Sequence, residues 1–145
     1  MTEIRAYGTP VPQGSKRAYV NKGTGRANVV ENDSARVRSW RQAVIDAWHD
    51  GRDVLHLGPV SVDVTFYLPR PKGHYGTGRN AGTVRASALR FPAAMPDLDK
   101  LLRAVLDALT DAGCWKDDGQ VVAVSAAKRW ADGQVPGALI WIGEP

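Results

Sequence analysis

Four carboxylates bracket one stretch of this chain, PDLDKLLRAVLDALTDAGCWKDDGQVV at 96–122. Asp97 and Asp99 open it, and Asp117 and Asp118 close it. Hard oxygen donors of this kind suit Mg²⁺, with Mn²⁺ as a substitute. Each acid also has a plain structural reading. Asp97 and Asp99 flank a helix start, where a side-chain oxygen can accept from a free first-turn amide. Asp117 and Asp118 sit in KDDG, a turn sequence. Together they weigh differently. If the helix ends near Thr110 and a short loop leads to a strand at Val121, the chain is expected to fold back beside the helix start and bring the two pairs together. Like charges about 4 Å apart repel by about 4 kcal/mol at an effective dielectric near 20, so such a convergence calls for a cation. An EF-hand does not fit: after D-x-D the fifth and sixth positions are Leu101 and Leu102, where that loop needs a ligand and a glycine.

A divalent ion beside basic surface points to phosphodiester chemistry, because the ion polarises a phosphate and acidifies its bound water. Arg103, one turn after Asp99, either stabilises charge on that phosphate or pairs with Asp99 and Asp107. The charge distribution supplies the basic surface. Residues 1–96 hold fourteen Lys/Arg against seven Asp/Glu, a balance of +7, whereas 97–145 hold five against eight, a balance of −3. Between Arg70 and Pro96 there are five basic residues and no acid. Such a segment favours a polyanion, nucleic acid first, since Lys and Arg neutralise phosphates and release counterions. The candidate phosphate contacts are Lys16, Arg17, Arg70, Lys72, Arg79 and Lys100. The competing class is a DNA-binding protein without chemistry, in which the acids only cap and turn.

The elements that must position these groups are readable in outline. EIRAYG at 3–8 alternates as a short strand, and AYV and ANVV within the following Pro- and Gly-rich basic stretch suggest a hairpin. Asp33 or Ser34 is the expected N-cap of a helix over ARVRSWRQAVIDAWHD, closed by Gly51, with an apolar stripe of Val37, Trp40, Val44, Ile45 and Trp48. Arg36, Arg38 and Arg41 lie off that stripe, as solvated surface or as a phosphate-facing flank. VSVDVTFYL at 60–68 is the clearest strand. The segment at about 70–96 is too long and too rich in Gly, Pro and Ser for a regular element, and reads as a linker or as a DNA-gripping loop. A helix over 99–111 places Leu101, Leu102, Val105, Leu106 and Leu109 in one sector and Asp99, Arg103 and Asp107 on another. VVAVSAAKRW and ALIWIG are the last two strands. This order predicts one α+β domain over 1–145, with a mixed, largely antiparallel sheet and two main helices packed on one face.

Composition narrows the class further. At 145 residues the chain suits one domain, and no apolar run fits a signal peptide or a membrane span. The single Cys114 excludes an internal disulfide, and with only His49, His56 and His74 beside it a thiolate-rich zinc site is not expected. A reducing, cytoplasmic setting follows. GTGR at 23–26 and GTGRNAG at 76–82 neither follow a strand nor open a helix, so they are not phosphate loops. No Ser/His/Asp arrangement can be argued from spacing, and His74 reads as a surface residue.

The 96–122 run resembles the core of the RusA family of Holliday-junction resolvases, common in bacteriophages and prophages. It shares an Asp-x-Asp opening a helix, a basic residue one turn on, a Leu-Asp-Ala-Leu segment and Asp-Asp-x-Gln-Val. The resemblance is looser in PVPQGSKRA, in ENDSARVRSWRQ and in the strand ending LPRP. It implies a RusA-like fold, with Asp97, Asp99 and Asp118 as catalytic metal-binding aspartates and Asp117 as their companion. It places Arg103 where a catalytic Lys is typical, and Lys100 where an Asn is often found. It also implies a homodimer making symmetric nicks in a four-way DNA junction during recombination and repair, in the host cytoplasm if phage-encoded. Forks or flaps are the alternative substrates.

Overall fold

Val60, Val62, Val64, Phe66 and Leu68 are buried along one strand and alternate with more exposed neighbours, so the period-two pattern puts them all on one face. This strand is the scaffold on which the rest is hung. The computed structural model describes residues 1–14, 17–20, 23, 27–30, 35–51 and 54–145, with backbone alone for 17–20 and 27–30. The elements are β1 (Thr2–Tyr7), β2 (Arg17–Val20), β3 (Ala27–Val30), α1 (Ala35–Asp50), β4 (Val60–Leu68), α2 (Leu98–Asp111), β5 (Val121–Trp130) and β6 (Gly137–Gly143).

The main sheet has the order β1-β6-β4-β5. β6 runs antiparallel to both β1 and β4, and β5 runs parallel to β4. β2 and β3 form a separate antiparallel hairpin. The fold is α+β with a mixed sheet and two main helices, as the element order predicts. α1 packs on β1 and on α2, and α2 packs on β5. The expected N-cap of α1, Asp33 or Ser34, lies outside the described residues.

The stripe on α1 buries Val37, Trp40, Val44 and Trp48, while Ile45 stays partly covered. On α2 the sector narrows in the same way: Leu101, Val105 and Leu109 are buried, but Leu102 and Leu106 remain half-open. After α2 the chain reverses at Gly113, whose φ of 80° suits a residue without a Cβ. Cys114 and Trp115 then plunge into the core. Burial pushes the Cys114 thiol up to about 12, which makes it an inert packing group. The indole of Trp115 donates to the Thr110 hydroxyl at 2.8 Å, and that hydroxyl donates to the Leu106 carbonyl at 2.9 Å. The end of α2 is thereby locked to the turn that follows.

The 70–96 segment is neither a linker nor a structureless loop. It contains two 3₁₀ turns, Lys72–His74 and Gly78–Asn80, and a bridge between Tyr75 and Val84. Strand β5 pins its far end: Lys128 Nζ donates to the carbonyls of Ala94 and Pro96, and Trp130 Nε1 donates to that of Leu89. These anchors are side chain to backbone contacts, which leave no periodic trace in the segment's own residues. Among the described residues no helix is long and apolar enough to cross a membrane.

Candidate active site

Asp97 is the N-cap residue of α2, yet its side chain makes no capping bond. The structural role that a lone Asp at this position would be given is therefore not exercised. Asp99 lies in the first turn, where the helix dipole favours a negative charge. Both carboxylates are exposed, and so is Arg103 one turn on. Asp107, expected on the same charged line, is instead engaged: Gln13 Nε2 donates to it at 2.7 Å, and the Gln13 amide reaches the Lys100 carbonyl at 3.1 Å. These bonds lay the PVPQG segment along α2. Beside Asp97 opens a groove of about 360 Å³, walled in part by Pro12, Pro71, Met95, Pro96 and Trp130, with Arg36 also lining it.

Asp117 and Asp118 behave unlike each other. Asp117 caps the 3₁₀ turn Asp118–Gln120, its Oδ1 accepting from the Gly119 amide at 2.8 Å. That bond is the main reason the Asp117 carboxyl lies below the usual carboxylate range. The turn-forming reading thus holds for Asp117. Gln120, an uncharged side chain beside the acids, does most of the positioning. Its Oε1 accepts from the amides of Lys116 and Asp117, and its Nε2 donates to the carbonyls of His56 and Gly58 at 2.9 Å each. The signal that could have found it was the Gln within Asp-Asp-Gly-Gln itself.

The two acidic pairs do not converge within one chain. The Asp118 turn sits beside the start of β4, where Val121 pairs with Val60. The start of α2 sits at the other end of the sheet, because Lys128, which pairs with Phe66, holds Pro96. From Asp99 to Asp111 the helix alone spans on the order of 18 Å. Among the described residues no three His, Cys, Asp or Glu side chains stand close enough to share an ion. The expectation that the chain folds back beside the helix start is corrected here. β5 runs antiparallel to α2, so its beginning lies beside the end of the helix.

The basic candidates also separate. Lys72 and Arg79 are exposed on the two 3₁₀ turns, and Lys100 is half-buried on α2. Lys16 and the side chain of Arg17 lie outside the described residues. Arg70 is not a free cation. Its guanidinium bonds both Asp132 oxygens at 2.7 and 3.0 Å and the Leu89 carbonyl at 2.8 Å, and it stacks on Trp130 with only 7% of the side chain exposed. His74 is likewise not plain surface: it meets the edge of Trp130 and lies 3.3 Å from Arg70. Both residues anchor the loop.

The Arg70 guanidinium keeps the Asp132 carboxyl below its ordinary range. A carboxylate depressed on folding stabilises the fold above its unfolded pKa of about 3.9, and the stabilisation disappears as pH falls through the lower folded value. Urea unfolding of the native chain and of Asp132→Asn should therefore differ at neutral pH, and the gap should close below about pH 4. A gap that widens in acid would contradict the pairing. The effect will be small, since Asp132 is half exposed.

Exposed carboxylates at Asp97, Asp99 and Asp118 have the donor chemistry of a hard divalent cation. Comparisons with known proteins point to a nuclease acting on DNA. A family model described as endodeoxyribonuclease RusA matches residues 8–142. A protein of Bacillus subtilis (strain 168), named uncharacterized protein YqaN, is 32% identical over 132 residues, covering 90% of this chain and 88% of the relative.

Proposed function

The chain belongs to the RusA family of endodeoxyribonucleases, and from that premise we propose that it is a Mg²⁺-dependent homodimer that resolves four-way DNA junctions by paired, symmetric nicks. The observation that carries this reading is the placement of Asp97 and Asp99 at one end of β5 and of Asp118 at the other. One chain alone cannot close three of these acids around an ion, but two chains related by a two-fold axis can.

The surface for that axis is the open edge of β5. Among the described residues β5 pairs with β4 alone. Its Val122 and Val124 are 59% and 44% exposed, and Leu102 and Leu106 on the neighbouring helix are only partly covered. An unpaired, partly apolar strand edge is a template for a second strand. Antiparallel pairing of β5 with its own copy reverses the direction of the strand, so Asp118 of each chain moves toward Asp97 and Asp99 of the other. Two equivalent sites result, matching the two-fold symmetry of a four-way junction.

In each site Asp97, Asp99 and the second copy's Asp118 would hold the cation, and Asp117 would keep the Asp118 turn in shape. The bound ion supplies polarisation of the scissile phosphate and a more acidic water. Arg103 places a permanent positive charge one turn from Asp99. Its planar guanidinium does not readily give up a proton, so its part is to stabilise phosphate charge and not to protonate a leaving group. Lys72, Arg79 and Lys100, with Lys16 and Arg17, would contact the backbone of the DNA arms without reading sequence.

The test is a synthetic four-way junction labelled on all four strands. Mg²⁺ should give paired nicks at symmetric positions, EDTA should give none, and a linear duplex of one arm should stay intact. Val124→Glu should be monomeric by sedimentation and should bind DNA without cutting it. Paired nicks from that monomer would sink the two-chain site, and faster cutting of forks or flaps would reassign the substrate.

A further inference from the structure

The face of the sheet away from the helices carries a line of rings and guanidinium groups that the site above does not use. Tyr7, Gly137, Tyr67 and Arg129 form one row across all four strands, by direct pairing of each with the next. The position between the two tyrosines has no side chain. A Cβ on Gly137 would collide with the Ala6 carbonyl, so the gap is built into the backbone. The Arg5 guanidinium fills the space above it, 6.0 Å from the Tyr7 ring and 5.5 Å from the Tyr67 ring, and bonds Gln134 Oε1 at 2.9 Å. At the other end of the row Phe91 lies between Arg90 and Arg129, at 5.4 and 6.0 Å. Tyr7 and Phe91 are 59% and 50% exposed. With strands about 4.8 Å apart, the row alone spans roughly 14 Å, and Phe91 extends it.

Exposed rings interleaved with Arg are well suited to one ligand chemistry. Bases that have left the helical stack place their faces on aromatic rings or guanidinium planes, while Arg neutralises their phosphates. Paired bases inside a duplex offer no such face. The acids of this sheet face, Glu3 and Asp63, flank Trp141 two rows away and stay outside the line. Asp132 is engaged by Arg70.

We propose that Tyr7, Tyr67 and Phe91, with Arg5, Arg90 and Arg129, bind unpaired nucleotides of the DNA substrate by base stacking, along a line that runs across the sheet from Tyr7 to Arg129 and on to Phe91. The inference rests on DNA being the substrate and specifies the strand state that is recognised. It gives the protein a means of favouring branch points where bases are open over continuous duplex.

Fluorescence anisotropy with a labelled short oligothymidylate and with a duplex of the same length tests it on the full native chain. The oligothymidylate should bind at least as tightly as the duplex. Tyr7→Leu/Phe91→Leu should weaken oligothymidylate binding roughly tenfold or more, at about a factor of five or more per stacked base, and leave duplex binding and Mg²⁺-dependent cutting of a fully paired junction unchanged. Both positions are exposed, and an unchanged thermal midpoint shows that the variant is folded. Equal losses for both DNAs would reduce the line to phosphate contacts and overturn stacking, as would native oligothymidylate binding weaker than duplex binding. Oligothymidylate binding that survives in a protein unable to cut any junction would instead count against the active-site reading and leave this one standing.

Discussion

Asp99→Asn is expected to lose junction cleavage in Mg²⁺ by at least about a hundredfold. Loss of a residue that merely supports a metal ligand already costs about ten- to a hundredfold, and Asp99 is placed among the ligands. Binding of the junction should be kept or improved, because a negative charge beside the phosphates is removed while every basic residue stays. Asp118→Asn should behave alike although it lies at the far end of the helix. The pair together decide how the site is built. In a dimer purified to contain one Asp99→Asn chain and one Asp118→Asn chain, a site shared between chains leaves one of the two sites wholly native. Nicking should then return to about half the native rate, on one strand at a time. Sites enclosed within single chains would each carry a lesion, and the mixed dimer would be as inactive as either variant. Native-like cutting by Asp99→Asn itself would remove that residue from the chemistry.

Trp115→Ala should be the most damaging single core substitution in the region of the site, at about 3–5 kcal/mol. The side chain is 1% exposed, so truncation opens a cavity that the strands around it cannot close. It also leaves the Thr110 hydroxyl without its indole donor. Against a typical total of about 5–15 kcal/mol this is a large fraction. For a chain of this size it corresponds to a fall in thermal midpoint of roughly 6–20 °C. Cleavage should fall further than stability alone explains, because Trp115 bridges to His56 and stands two residues before the Asp117–Asp118 turn. Trp115→Phe fills most of the space but loses the hydrogen bond and part of the packing, so about 1–2 kcal/mol is expected. A midpoint shift of less than about 3 °C for Trp115→Ala would show that the core closes around the gap.

These two results bear on different links between sequence and site. The elements were legible because each carries a local period. β4 and β5 occupy the predicted 60–68 and 121–130, α1 ends at Asp50 just before the predicted closing Gly51, and α2 begins one residue before its expected start. The acids were legible as a set because four of them bracket one helix. Nearness in sequence does not carry across the reversal from α2 to β5. Thr110 and Val121 are joined by a short connection, so the acids after the helix necessarily stay at its end, about 18 Å of helix away from those at its start. Arg70 shows a related limit: a basic residue in an acid-free segment looks unpaired, but its acid, Asp132, comes from 62 positions further along the chain.

By itself, then, the sequence determined the types and lengths of the elements, the family motif, and the identity of the carboxylates available to a metal. These depend on residues within one or two turns of each other, where hydrogen bonding and side-chain period are local. Only the tertiary structure decided that Arg70 pairs with Asp132 and His74 meets Trp130, that Asp117 caps while Asp97 does not, that Gln120 is the pin of the turn, and that the two acidic pairs stand at opposite ends of α2. Each of those depends on strand register and on which end of α2 meets which end of β5. That relation is set by long-range packing of the sheet, and no window along the chain contains it.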